Sequence, residues 1–323
     1  MSVELIAEFC QNHNGDFGIL SEMVFAAAEC GATAGKMQTI FADRVSCRPQ
    51  FEEGLVQNGV RVTIKRPYWA EYERLKKLEI DFHQQEEFIR LCKKAGITPM
   101  TTCFSRDTAQ QIHDVGFREV KVASYDCASF QMLRELRPLF ERVLISTGAT
   151  FNDELEYAAS LMKGSNFGFL HCVTLYPTPL GEMHLARLKY LRQFAPKVGF
   201  SDHSLVARDG VIASQVAVYL GAEMIERHFT VLPSDQTRDG PVSITPALLK
   251  ELSSFSKLSS PEQREYLDSH YTEWNQCIGL MIQDLSPPEL LNRDYYRGRF
   301  ASLRKESKNG QNMIFNWEET PLK

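Results

Sequence analysis

Two histidines close short apolar runs in this chain: His203 in Gly199-Phe200-Ser201-Asp202-His203-Ser204, and His228 in Met224-Ile225-Glu226-Arg227-His228-Phe229-Thr230. The runs lie one strand–helix repeat apart, so as neighbouring parallel strands they would deliver both imidazoles to the same end of a sheet. An imidazole pair of this kind suits a divalent metal, and Glu226, two residues before His228, falls on the same strand face. Two histidines in oxygen-rich surroundings leave positions open for water and substrate. That favours Mn²⁺, with Mg²⁺ and Co²⁺ as further candidates, over a closed structural Zn²⁺ site. An open metal polarises a carbonyl.

Other run ends carry groups for an anion. Lys36 and Gln38 stand two residues apart, on one face of a strand. Lys121 sits between Val120 and Val122 in a run that should be buried on both faces. A buried lysine is costly unless it meets an anion, so the pair implies a negatively charged ligand in a shared mouth; ion pairs with Glu8 and Asp126 are the alternative. Thr102, Ser124, Ser146 and Ser201 end other runs. Four hydroxyls beside two cations would cradle phosphate and carboxylate oxygens. Glu8 ends the first run, and Tyr176 and Asp239 lie just past later ones, as candidates for substrate contact.

These groups meet only if the elements bring them together. Strand-like runs at 4–9, 35–39, 97–103, 119–124, 142–147, 167–173, 197–201 and 222–229 alternate with helical patterns at 18–30, 82–95, 106–115, 129–140, 153–163, 182–194, 207–220 and 246–255. Eight such units predict an α/β fold, a (β/α)8 TIM barrel over residues 1–257. An open doubly wound sheet would show a glycine-rich phosphate loop after its first strand, and none occurs. Residues 40–66 read as a long loop on the mouth side. Residues 258–323 read as a short helical and irregular extension.

Composition narrows the class further. The 323 residues carry a net charge of −5, with 43% hydrophobic and 24% charged residues. That balance gives no global field for nucleic acid or an anionic membrane, and no long apolar stretch reads as a membrane span. The 8 cysteines are scattered without a CxxC pair, as in reduced thiols of a cytoplasmic enzyme.

Read in order, Ile6-Ala7-Glu8 leading to Asn12-His13-Asn14-Gly15-Asp16, Gly35-Lys36-Met37-Gln38-Thr39, Phe104-Ser105-Arg106, Lys121-Val122-Ala123-Ser124, Ser146-Thr147-Gly148, His171-Cys172 with Tyr176-Pro177-Thr178-Pro179, Ser201-Asp202-His203-Ser204 and Ile225-Glu226-Arg227-His228-Phe229-Thr230 resemble the sialic acid synthase family. The resemblance implies a transferase that forms a C–C bond. Phosphoenolpyruvate would condense with an open-chain sugar aldehyde, N-acetylmannosamine-like or related, to give a 2-keto-3-deoxy sugar acid and phosphate. It places phosphoenolpyruvate on Lys36, Thr102, Lys121, Ser124, Ser146 and Ser201, Mn²⁺ on His203 and His228, and Glu8 beside the reacting carbons. Gln38, Tyr176, Glu226 and Asp239 would face the sugar. Asp126, where a glutamate is common, would join the catalytic groups, and both it and Thr174 would lie toward the sugar side. A homodimer is implied, as is an extension in which Tyr296-Arg297-Gly298-Arg299-Phe300 opens a junction toward an antifreeze-like domain that is not complete here. A metal-dependent 2-keto acid aldolase and a non-catalytic sugar- or phosphate-binding barrel are the competing readings.

Overall fold

Side chains alternate across a strand, and in this chain the inward set changes character partway up. The computed structural model describes residues 3–322. Residues 1, 2 and 323 of the two expected spans lie outside it. Eight parallel strands close a barrel: β1 (Glu4–Cys10), β2 (Ala34–Thr39), β3 (Thr98–Cys103), β4 (Glu119–Val122), β5 (Arg142–Ser146), β6 (Phe167–Cys172), β7 (Lys197–Asp202) and β8 (Met224–His228). They pair in sequence order, and β1 closes the ring against β8. Low in the barrel Ile6, Ala34, Met100, Leu144, Leu170 and Met224 form a buried apolar layer. Two residues further along each of these strands stand Glu8, Lys36, Thr102, Ser146, Cys172 and Glu226. The period of two that plugs the base with carbon therefore puts these side chains at the C-terminal mouth, while Glu4, Glu119 and Arg142 pair at the opposite end.

The outward faces of the strands meet the helical ring, with Phe9, Phe88, Phe169, Phe200 and Phe229 among the fully buried rings. Helix ends follow local rules. Asp81 caps Phe82–Ala95 through a capping box, and Gly96 ends that helix at φ 76°. The expected helix over 182–194 is shorter. After Pro177 and Pro179 the chain makes a 3-10 turn at Leu180–Glu182 and a single α stretch at Arg187–Leu191. The helix expected over 207–220 is broken at Gly210, φ 52°, into Val206–Asp209 and Ile212–Tyr219.

Two antiparallel hairpins depart from the sequence reading. The expected loop at 40–66 contains strands Leu55–Gln57 and Val60–Thr63 around Asn58-Gly59, both at positive φ. The extension is not only helical and irregular. Helices Ser260–His270 and Pro287–Tyr296 lead into strands Ala301–Lys308 and Gln311–Phe315, joined by Asn309-Gly310, again at positive φ. The stretch leading into that second hairpin reaches the mouth: the Ser46 amide bonds the Arg299 carbonyl at 2.9 Å, and Phe300 packs on Phe104 at 4.8 Å. Among the described residues, no helix is long and apolar enough to cross a membrane.

Candidate active site

Strand register sets the heights of the polar side chains. Glu8 is level with Lys36 on one neighbouring strand and with His228 on the other. Thr102 is level with Gln38 and Lys121, and Glu226 with Ser201. Together with Ser124, Ser146, Cys172, Tyr176 and His203 they line an inner cavity of about 80 Å³. All the phosphoenolpyruvate-side candidates thus converge there.

The charges in this cavity are internally matched. Lys121 Nζ donates to both oxygens of Glu226 at 2.7 Å, and Ser201 Oγ donates to the same carboxylate at 2.9 Å. Lys36 pairs with Glu8, donates to Thr102 Oγ1 at 3.0 Å and stands 3.6 Å from Glu226. Burial opposes ionisation of Glu226, but Lys121 and Lys36 override it and hold the carboxyl below the ordinary range. Burial pushes Glu8 up to about 7, with Lys36 offsetting part of the effect. Two neighbouring carboxyls are therefore driven apart, one a fixed anion and one able to exchange a proton near neutrality. Gln38 Nε2 orients Glu8 with a 2.9 Å bond to Oε1. Glu226, expected on the sugar side, instead lies under the cradle as the counter-ion of both lysines.

The histidines stand at the rim, their ring centres 5.2 Å apart, with Tyr176 over His203 at 4.2 Å. Burial, with each ring's positive neighbours adding, pushes both down to about 3, so both are neutral and keep a lone pair for coordination. His228 Nδ1 is buried without a hydrogen-bond partner among the described residues. It is 3.8 Å from Asp239 Oδ2. Donor atoms of Cys10, His228 and Asp239 lie within 4.8 Å of one another. An unpartnered neutral imidazole beside a carboxylate and a thiol fits a divalent cation. The tightest donor set thus joins His228 to two residues not assigned to metal from sequence, with His203 alongside.

Above the inner cavity opens a chamber of about 430 Å³ lined by Gln38, Asp126, Tyr176, His228 and Asp239. Asp126 belongs to this outer wall rather than to the group around Glu8. Its Oδ1 accepts from Ser129 at 2.8 Å and Asn316 at 3.0 Å, and burial pushes its carboxyl up to about 6. Thr174 reaches neither chamber. It is fully buried against Gly148, where a Cβ would come within 2.6 Å of its methyl. The outer wall also holds groups that the sequence reading left unassigned: Arg66, Arg74, Arg238, Asn292, Tyr296 and Arg299. Of these, only the Tyr296–Phe300 stretch had drawn notice, as a junction. Arg299 pairs with Glu71, which also takes Arg74 at 2.9 Å.

Known proteins share this arrangement of chain. The chain is 29% identical over 263 residues to the N,N'-diacetyllegionaminic acid synthase of Campylobacter jejuni, covering 77% of this chain and 73% of that one. It is 27% identical over 313 residues to the pseudaminic acid synthase of the same species, covering 96% and 84%. A crystal structure of N-acetylneuraminic acid (sialic acid) synthetase from Leptospira borgpetersenii superposes with a TM-score of 0.68 at 26% identity, covering 91% of this chain and 92% of that one. The family model described as the NeuB family matches residues 23–260, well over half of the 323 residues. On fold, strand-end motifs and this match together, the chain belongs to the NeuB family.

Proposed function

We propose that this enzyme condenses phosphoenolpyruvate with the open-chain aldehyde of an N-acylated amino sugar, giving a sialic-acid-like 2-keto-3-deoxy sugar acid and phosphate. The observation that carries the reading is the stacking of two compartments. A small cavity rich in lysine and hydroxyl groups, which also holds Glu8 and His203, lies beneath a wider polar chamber, and Gln38, Tyr176 and His228 line both. The names of two relatives, an N,N'-diacetyllegionaminic acid synthase and a pseudaminic acid synthase, support it.

In this reading Lys36, Lys121, Thr102, Ser124, Ser146 and Ser201 hold the phosphate and carboxylate of phosphoenolpyruvate. The sugar lies in the upper chamber against Gln38, Tyr176 and Asp239. A divalent cation on His203 and His228 would supply Lewis-acid polarisation of the sugar carbonyl. C3 of phosphoenolpyruvate bonds to the aldehyde carbon as the C2–C3 double bond is spent, leaving C2 cationic and the aldehyde oxygen an alkoxide, which takes the proton that the incoming water gives up through Glu8. Water adds to C2, and Glu8 accepts the proton that this water loses. The C2–O bond of the phosphate ester then breaks as the C2 hydroxyl becomes the keto group, and phosphate leaves with that hydroxyl's proton. A carboxyl near 7 suits this duty, because a base is most useful when its pKa lies near the working pH. The test is a panel of N-acylated and plain aldoses incubated with phosphoenolpyruvate, metal and the enzyme, recording phosphate and product mass. A mass equal to sugar plus pyruvate supports the reading. Phosphate release that no sugar stimulates overturns it.

A further inference from the structure

We propose that Cys10 is a ligand of the divalent metal, so that the cation is held by the Cys10 thiolate and the Asp239 carboxylate together with imidazole, rather than by imidazole alone. The inference rests on the carbonyl-polarising metal of the synthase reading, but it concerns this chain's own donor atoms and is tested without turnover.

Cys10 ends β1, two residues beyond Glu8, at the level where the strand gives way to the mouth. The pairing of β1 with β2 slips at this point: Glu8 is level with Lys36, but Cys10 is level with Met37. The residue has φ 40°, a left-handed conformation that side chains other than glycine adopt rarely and that concentrates at ligand sites. The thiol is only 1% exposed, so this is not a surface cysteine. Its sulfur shares a 4.8 Å neighbourhood with His228 and Asp239. The independent mark of a missing partner is His228 Nδ1, which belongs to a residue 6% exposed and has no hydrogen bond among the described residues.

Coordination replaces the S–H bond with a sulfur–metal bond, and the thiol proton leaves to solvent. A set of sulfur, nitrogen and oxygen donors is softer than two imidazoles among oxygens. It shifts preference from Mn²⁺ toward Co²⁺, Fe²⁺ and Zn²⁺. Cys172 is the internal control, because its Sγ lies 3.7 Å from His203 Nδ1 on the other side of the rim.

The full chain, stripped of metal, is titrated with Co²⁺ and followed by absorption. A sulfur-to-cobalt charge-transfer band in the near ultraviolet should grow to one equivalent. It should vanish in Cys10→Ser and persist in Cys172→Ser. X-ray absorption of the Zn²⁺-loaded wild type needs no variant and should show one sulfur neighbour at about 2.3 Å. Cobalt d–d bands without charge transfer, or nitrogen and oxygen neighbours alone, overturn the Cys10 assignment and leave the synthase reading standing. Loss of the band in Cys172→Ser with retention in Cys10→Ser overturns it equally. Failure of the wild type to bind either ion removes the metal from both proposals.

Discussion

Replacing Glu226 with glutamine isolates the charge balance of the inner cavity. In the native chain two buried ammonium groups, Lys36 and Lys121, face two carboxyls, Glu8 and Glu226, and Lys121 spends two 2.7 Å bonds on Glu226 alone. Glu226→Gln keeps the shape and an acceptor for Ser201 but leaves one buried cation without a partner. Breaking a buried pair in this way costs about 3–5 kcal/mol. Unfolding entropy of about 2.1 cal/mol/K per residue over 323 residues gives about 0.7 kcal/mol per degree. The variant should therefore melt about 4–7 °C below wild type. The same unbalanced cation should bind small anions more tightly. A tenfold gain in phosphoenolpyruvate affinity would add about 1.4 kcal/mol at saturation, so the ligand should raise the variant's Tm by about 2 °C more than wild type's. Scanning calorimetry with and without phosphoenolpyruvate reads both quantities. A variant that melts within a degree of wild type, or that gains no more from phosphoenolpyruvate, would refute the counter-ion role of Glu226.

Glu8→Gln removes the proposed proton acceptor while keeping an amide oxygen for Gln38, and kcat for phosphate release should fall about 10²–10⁴-fold. His203→Ala should lower metal-dependent turnover by orders of magnitude, a loss consistent with removing several kcal/mol of Lewis-acid stabilisation. Near-normal phosphate release by that variant would remove His203 from the site. For Asp126 the sign of the pH effect runs toward acid. Burial lifts its carboxyl from 3.8 to about 6 in the folded chain, so folding favours the protonated form. The contribution is fully present below pH 3.8 and lost as the pH rises through about 6. Asp126→Asn should therefore stabilise the protein at pH 7.5 by at most about 3 kcal/mol and make no such difference at pH 4, as thermal melts at the two pH values will show.

Sequence period carried the barrel and most of its inward groups, because β-strands report their faces locally: Glu8, Lys36, Thr102 and Glu226 follow their apolar partners by two residues. What each group touches was less accessible. The resemblance put Glu226 with the sugar, yet its partners arrive from β2, β4 and β7. Cys10 lies two residues after Glu8, and that offset was a readable signal. Its scattered company of other cysteines made it look like a buried thiol with no task, and its approach to Asp239, at a slip in strand register, is not legible in sequence. The C-terminal hairpin escaped because Arg304-Lys305-Glu306-Ser307-Lys308 offers no alternating apolar face. Only Asn309-Gly310 marked the turn. The arginines of the outer wall come from segments far apart in the chain, and no local pattern announces such a gathering.

The carbon plug at the base of the barrel imposes a queue. With Ile6, Ala34, Met100, Leu144, Leu170 and Met224 sealing the far end, whatever occupies the inner cavity must pass through the upper chamber in both directions. If phosphoenolpyruvate is the inner guest, a sugar already seated above blocks its entry, and the enzyme is committed to taking the enol phosphate first and the aldehyde second. Traffic outward is ordered by the same dead end. On that reading the product has to clear the upper chamber, walled in part by Asn292, Tyr296, Arg299 and Phe300, before the next turnover can begin.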